Sequence, residues 1–311
     1  MFVINRMNPT SLGKINNKTI DGFTFLVYLN TLTAFAVGAL IDPNEMRVTG
    51  TLRRQGQAPL VLFNETLKTM IIMSHLRSNA YLYLNGVTRI LLNAGATDCM
   101  LPFRFDLGGP INLIGSDEFE LAWVMNTGFF ADASVNALAS YIEVDETESN
   151  EIEYITPITH SQVIEANQTN PTFNLGSNIM TVILRNDDKS SLLQTARVVN
   201  SIKLTSDKVN KDDTWNELLC KAISYYSTIT EAGARYQNWI VYDGSEDLDR
   251  VSLNCSMNSA NLTSSNNYVL WRSYETSDWL RTRAELLQQV KNAKNDNKAR
   301  INPAFTETEL L

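Results

Sequence analysis

Arg47-Val48-Thr49-Gly50-Thr51-Leu52 returns 150 residues later as Arg197-Val198-Val199-Asn200-Ser201-Ile202. Three more segments recur in the same order. Phe63-Asn64-Glu65-x-Leu67-x-x-x-Ile71 matches Trp215-Asn216-Glu217-x-Leu219-x-x-x-Ile223 at an offset of 152. Arg77 to Gly86 matches Arg235 to Gly244 at 158, and Asn112-Leu113-x-x-Ser116-x-x-Phe119-x-Leu121 matches Asn261-Leu262-x-x-Ser265-x-x-Tyr268-x-Leu270 at 149. Four collinear matches with drifting offsets predict a duplicated domain with loop insertions and deletions. A chain of 311 residues has room for two cores of ordinary size.

Within each copy the pattern is β. Runs of Val, Ile, Thr and aromatics are broken by Asn, Asp, Gly and Ser clusters. The expected strands include Glu118–Met125, Ser140–Val144, Met180–Leu184, Arg197–Leu204 and Asn267–Tyr274. Asn85-Gly86 between Tyr81–Leu84 and Val87–Leu92 predicts a type I′ hairpin, because that turn needs positive φ at both central residues. Asp243-Gly244 is expected to repeat it. Each copy also predicts one helix, capped by Asn64 or Asn216 with Glu65 or Glu217 in the first turn. Phe23 to Ile41 is uncharged, but Phe23, Phe25, Val27 and Leu29 alternate. That period reads as a buried pair of strands rather than a membrane span.

The fold expected is therefore mainly β: two tandem barrels, one helix inserted in each, and a C-terminal amphipathic helix. The boundaries are a basic N-terminal arm over 1–19, a first barrel over 20–150, a linker over 151–171, a second barrel over 172–277, and a helix with tail over 278–311. The acidic run Asp145 to Glu153 marks the connection. The closing helix starts at Ser277 or Asp278 and places Trp279, Leu280, Arg283, Ala284, Leu287 and Val290 at helical spacing.

Charge is segregated. The net charge is −8, yet residues 1–20 carry +3 and residues 278–302 carry another +3, leaving −14 for the rest. An acidic body does not suit nucleic acid. The basic ends make Arg6, Lys14, Lys18, Arg281, Arg283, Lys291, Lys294, Lys298 and Arg300 the candidates for facing a membrane or a genome.

Catalytic chemistry is missing from the residue inventory. His75 and His160 are the two histidines, too few for the His-rich metal site of a duplicated-barrel enzyme. Cys99, Cys220 and Cys255 have no metal-knuckle spacing and read as free thiols. Ser11-Leu12-Gly13-Lys14 fits S-x-x-K without its companion elements. Asp243 to Asp249 is acidic without EF-hand spacing. No phosphate-binding glycine motif occurs. No catalytic, cofactor or metal residue is assigned, and the chain is expected not to be an enzyme. A tandem β-sandwich binding protein for glycans or adhesion is the alternative, and a duplicated-barrel enzyme is a more distant one.

Two β-rich repeats with the order helix then hairpin (Asn64-Glu65 then Asn85-Gly86; Asn216-Glu217 then Asp243-Gly244) resemble the double jelly-roll major capsid proteins of icosahedral viruses. This lineage includes bacteriophages with an internal membrane. The resemblance covers residues 20–277 as architecture and rests on no signature motif. It implies jelly-roll barrels, a homotrimer whose six barrels form a pseudo-hexagonal unit, and neighbouring trimers tiling a shell. It also implies penton or minor capsid proteins as partners, an internal lipid membrane near the termini, assembly in the host cytoplasm, residence in the virion, and no small-molecule substrate.

Overall fold

The computed structural model describes residues 2–31, 41–70, 91–92, 98–130, 133, 135–150, 155–165, 168–185, 198–217, 220, 239–258, 268–276 and 292. The Asn85-Gly86 hairpin turn, the second strand expected after Leu29, His75 and, apart from Asn292, the helix expected over 278–300 lie outside these residues.

The first barrel is built from β1 (Phe2–Asn5), β2 (Thr10–Asn16), β3 (Thr19–Asn30), β4 (Met46–Arg53), β5 (Leu60–Thr66), β6 (Leu91–Leu92), β7 (Asp98–Asn112), β8 (Glu118–Met125) and β9 (Tyr141–Glu148). The second uses β10 (Ile155–Val163), β11 (Thr172–Gly176), β12 (Ile179–Arg185), β13 (Val199–Thr205), β14 (Asn210–Thr214), β15 (Trp239–Leu248), β16 (Val251–Met257) and β17 (Tyr268–Thr276). The sheets of the first barrel run β1-β9-β3-β7-β6 and β2-β8-β4-β5. Those of the second run β10-β17-β12-β15 and β11-β16-β13-β14. Apart from the short β6, strand order is identical, so the duplication is real at the level of topology. The paired four-stranded sheets with this antiparallel order form a jelly roll, and the chain carries two.

Each barrel closes on its own core. Alternation buries one face of each strand: Phe23, Phe25, Val27 and Leu29 point inward along β3, and Val251, Leu253, Cys255 and Met257 along β16. The first core centres on Phe63, whose ring sits edge-on to Phe105 at 4.9 Å and 6.4 Å from Phe119. Gly50 leaves the space for this stack, since a Cβ there would lie 2.3 Å from the Phe63 ring. The second core gathers Trp215, Val182, Leu204 and Leu253 around Cys255.

Several sequence expectations need correction. The helices begin at residues 67 and 215, each directly after the outer strand β5 or β14, but their caps are Thr66 and Thr214. Thr66 Oγ1 accepts from the Thr69 amide at 3.2 Å. Thr214 forms a capping box: its amide donates to Glu217 Oε2 at 2.7 Å, and its hydroxyl oxygen accepts weakly from the Glu217 amide at 3.4 Å. Asn64 lies inside β5 whereas Asn216 lies in the helix, so that match was one turn out of register. Asp243-Gly244 makes no hairpin; it sits within β15, where pairing with β12 shifts between Ile179 and Thr181. The Asn112 and Asn261 segments align β8 with β17, strands in different positions of the two barrels.

The proposed arm and linker also fold differently. Residues 2–16 supply β1 and β2, because Val3 and Ile4 alternate outward and inward against β9 while Ile15 fills the core. The acidic Asp145 to Glu148 continues β9, hydrogen-bonded to β3. Residues 155–163, read as linker, are the first strand of the second barrel.

Candidate functional site

The barrels stand side by side in the same sense. One end of the first, here called the base, carries the β2–β3 turn at Asn17 and Lys18, joined to the β7–β8 turn through Leu113 N donating to Lys18 O at 3.0 Å. The matching end of the second carries the β11–β12 turn at Asn178, whose amide donates to Asp249 Oδ1 at 3.3 Å. Asn17 and Asn178 both take left-handed φ, 53° and 57°, as asparagine tolerates. Along the seam, Arg54 donates to Thr156 Oγ1 at 3.2 Å near the base. Glu65 and Ser161 hydrogen-bond nearer the other end.

The seam is polar and dry. Thr156, Glu65, Arg272 and Arg54 are at most 9% exposed. Charges held away from water cost several kcal/mol unless hydrogen-bonded, so each needs a defined partner. Arg272 Nη2 donates to Asp106 O at 2.9 Å. Its side chain lies over Gly108, where φ is +101° and an added Cβ would come within 2.8 Å of the guanidinium. Burial pushes the Glu65 carboxyl above its usual range, against the opposing pull of Ser161 and Arg47. These contacts fix one barrel against the other.

The basic candidates separate. Arg6 is exposed in the β1–β2 turn, beside a cleft of about 370 Å³ formed with Pro9, Met125, Asn126, Thr127 and Phe130, at the end opposite the base. β2 then runs to the base, about 20 Å at 3.3 Å per residue. Lys14 pairs with Glu118 at 2.8 Å and Glu120 at 3.4 Å. Lys18 pairs with Glu146 at 2.5 Å and Glu148 at 2.8 Å, hydrogen bonds that raise its pKa. The expected cluster over residues 1–20 is therefore not brought together, and Lys14 and Lys18 serve acidic neighbours on their own barrel. Arg281, Arg283, Lys291, Lys294, Lys298 and Arg300 lie outside the described residues; β17 delivers the chain at Thr276 to the base.

The other singled-out residues are structural in position. His160 stacks on Trp271 at 5.1 Å and bonds Ser273 Oγ at 2.9 Å, and burial lowers its pKa. Burial pushes the Cys255 thiol up to about 12. Among the described residues no group of three His, Cys, Asp or Glu side chains could hold a metal ion. No described helix is long and apolar enough to cross a membrane.

No protein-family model matches the chain, and no curated protein matches it. Solved structures do. The crystal structure of the STIV MCP aligns over 85% of this chain and 91% of its own, with TM-score 0.56 and 14% identity. The atomic structure of Sulfolobus Turreted Icosahedral Virus aligns over 94% of this chain and 93% of its own, with TM-score 0.53 and 13% identity. The chain has the double jelly-roll fold of these capsid chains. At such identities the likeness establishes fold, and both barrels take part in it, since nearly the whole of each chain is covered.

Proposed function

We propose that this chain is a major capsid subunit, a structural protein that forms pseudo-hexagonal homotrimers tiling an icosahedral virion. The observation that carries this reading is the rigid pairing of two barrels of identical strand order, fixed by a buried polar seam. Flexibly linked binding modules would not need buried arginines between them. Likeness in both barrels to the STIV MCP supports the reading. Six barrels from three chains make a near-hexagonal unit that packs on a surface, and many weak contacts then sum over the lattice.

Size and an Asn-rich composition favour the small lipid-containing phages, such as the one infecting Flavobacterium. β17 ends at Thr276 at the base, and in this reading the basic segment 278–302 meets an internal membrane or genome, with neighbouring trimers and penton or minor capsid proteins at the sides. Each Lys or Arg near an anionic bilayer contributes about 1 kcal/mol. Sedimentation of the purified chain tests the assembly claim, with a stable trimer or larger species expected. A monomer at every concentration would remove it. Co-sedimentation with anionic liposomes, with and without residues 278–311, tests the membrane role; equal binding by both forms would refute it.

A further inference from the structure

Arg6, Asn126 and Thr127 line the cleft of about 370 Å³ at the end of the first barrel opposite the base, together with Pro9, Met125 and Phe130. The three polar residues are exposed, and among the described residues none of their side chains has a hydrogen-bond or ion-pair partner. Met125 and Phe130 are buried and give the cleft an apolar floor. Backbone bonds hold the walls. Asn5 Oδ1 accepts from the Met7 and Asn8 amides at 2.9 and 2.8 Å, which fixes the turn that carries Arg6. Met125 N donates to Pro9 O at 2.8 Å, and Asn126 N to Glu45 O at 2.8 Å. The Glu45 side chain packs over Gly128, and no acidic side chain is among the described lining residues.

The second barrel keeps this frame and changes its chemistry. Residues 3–12 correspond one for one to 163–172. Val3 and Val163 are exposed alike, and Ile4 and Ile164 are both fully buried. Asn8 N donates to Asn5 O as Gln168 N does to Glu165 O, and Met125 N to Pro9 O as Met257 N does to Thr169 O. In sequence, Ala166 stands where the first copy has Arg6, and Glu165 where it has Asn5. The barrel frame therefore does not require a cation at this turn, yet the first copy places one beside a cleft.

We propose that this cleft binds the carboxylate of an acidic sugar. The planar guanidinium of Arg6 matches a carboxylate with two parallel hydrogen bonds. The Asn126 amide and the Thr127 hydroxyl can each donate and accept, as ring hydroxyls require. Met125 and Phe130 offer an apolar surface to the C–H face of the ring. The volume falls in the range of about 300–1,000 Å³ that small ligands occupy. A simple anion would leave Asn126 and Thr127 unused, and a neutral sugar would leave Arg6 unused. Binding stands on the cleft alone. Its place on the outer surface of a shell, facing acidic glycans of a host, rests on the assembly reading above.

The test is methyl NMR of the full-length chain with isotope-labelled methionine, titrated with glucuronate, galacturonate and N-acetylneuraminate. Their methyl esters and acetate are the controls. Met125 reports the cleft floor, and Met257, its counterpart in the second barrel, is the reference. At least one acidic sugar should shift Met125 saturably and leave Met257 in place, with its ester and acetate binding about tenfold or more weakly. Arg6→Gln should weaken binding to the same extent without changing the melting temperature, since the side chain is exposed and makes no bond within the described chain. No saturable shift from any of the three sugars, an ester or acetate that binds as well, equal shifts at Met257, or undiminished binding by Arg6→Gln would overturn the proposal. Should Arg6→Gln fail to fold, the esters make the same comparison on the wild-type chain. A chain that binds an acidic sugar at this cleft but never assembles would leave the site standing and remove the capsid reading.

Discussion

Gly50→Ala is the sharpest probe of the first core. Gly50 lies in β4 opposite Phe63 of β5 and Leu121 of β8. Its backbone φ is not in the left-handed region, so alanine brings no conformational strain. The added Cβ would lie 2.3 Å from one Phe63 ring atom and 2.8 Å from Phe119, both far inside contact distance. Neither ring has room to retreat, since Phe63 is 2% exposed and held edge-on by Phe105. Overpacking of this kind costs about 1–3 kcal/mol. The clash involves two rings, so the upper part of that range, about 2–3 kcal/mol, is expected. At about 2–4 °C per kcal/mol for a unit of this size, the first barrel's Tm should fall by about 4–12 °C. Differential scanning calorimetry measures it. Phe63→Leu should relieve the clash, so the double variant should be more stable than the two single losses added together predict. Strict additivity, or no change for Gly50→Ala, would refute the account of this core.

Three further outcomes follow from the seam and the second core. Burial raises the Glu65 carboxyl pKa in the folded chain above the 4.5 at which the unfolded chain ionises it. Its contribution to stability is therefore full below that value and lost as pH rises through its raised folded pKa. Glu65→Gln should flatten this part of the dependence of urea midpoint on pH from 4.5 upward, and an unchanged profile would contradict the burial argument. Gly108→Ala should strain the positive φ and displace Arg272, loosening the barrels; limited proteolysis within 149–154 should accelerate, while each barrel's own strand content, read by circular dichroism, stays the same. Cys255, fully buried with its thiol pushed up to about 12, should resist iodoacetamide in the native chain while exposed Cys220 reacts, as peptide mass spectrometry would show.

The strands were legible because their inward residues alternate without interruption. Glu118–Met125 coincides with β8, and the expected strands at Ser140–Val144, Met180–Leu184, Arg197–Leu204 and Asn267–Tyr274 agree with β9, β12, β13 and β17 to within a few residues. The duplication was legible as a fact and misread in detail. True equivalences drift widely: Val3 corresponds to Val163, Met46 to Val199, Thr66 to Thr214 and Met125 to Met257, because the connections shorten progressively in the second copy. A search near one constant offset lands on the right middle strands but in the wrong register, since Met125 with Met257 sets Arg47 against Ser201 rather than Arg197. Met125-Asn126 and Met257-Asn258 were the better signal, since both asparagine amides donate to the chain entering the central strand, at Glu45 and Val198. The base turns Asn17 and Asn178 were another. The arm and linker were misassigned because charge was taken as a sign of solvated chain. A strand also presents charge on its outer face, as Lys14 of β2 and Asp145 of β9 do. The buried seam could not be read at all, since Arg54, Glu65 and Arg272 look like surface residues until the second barrel covers them.

The most direct measurement of the central claim is cryo-electron microscopy of the purified chain, averaged as single particles or as the shells they form. The account predicts a near-hexagonal unit of six upright barrels from three chains, with all bases on one side. Discrete two-barrel particles without threefold association, or barrels pointing in opposite senses, would contradict it.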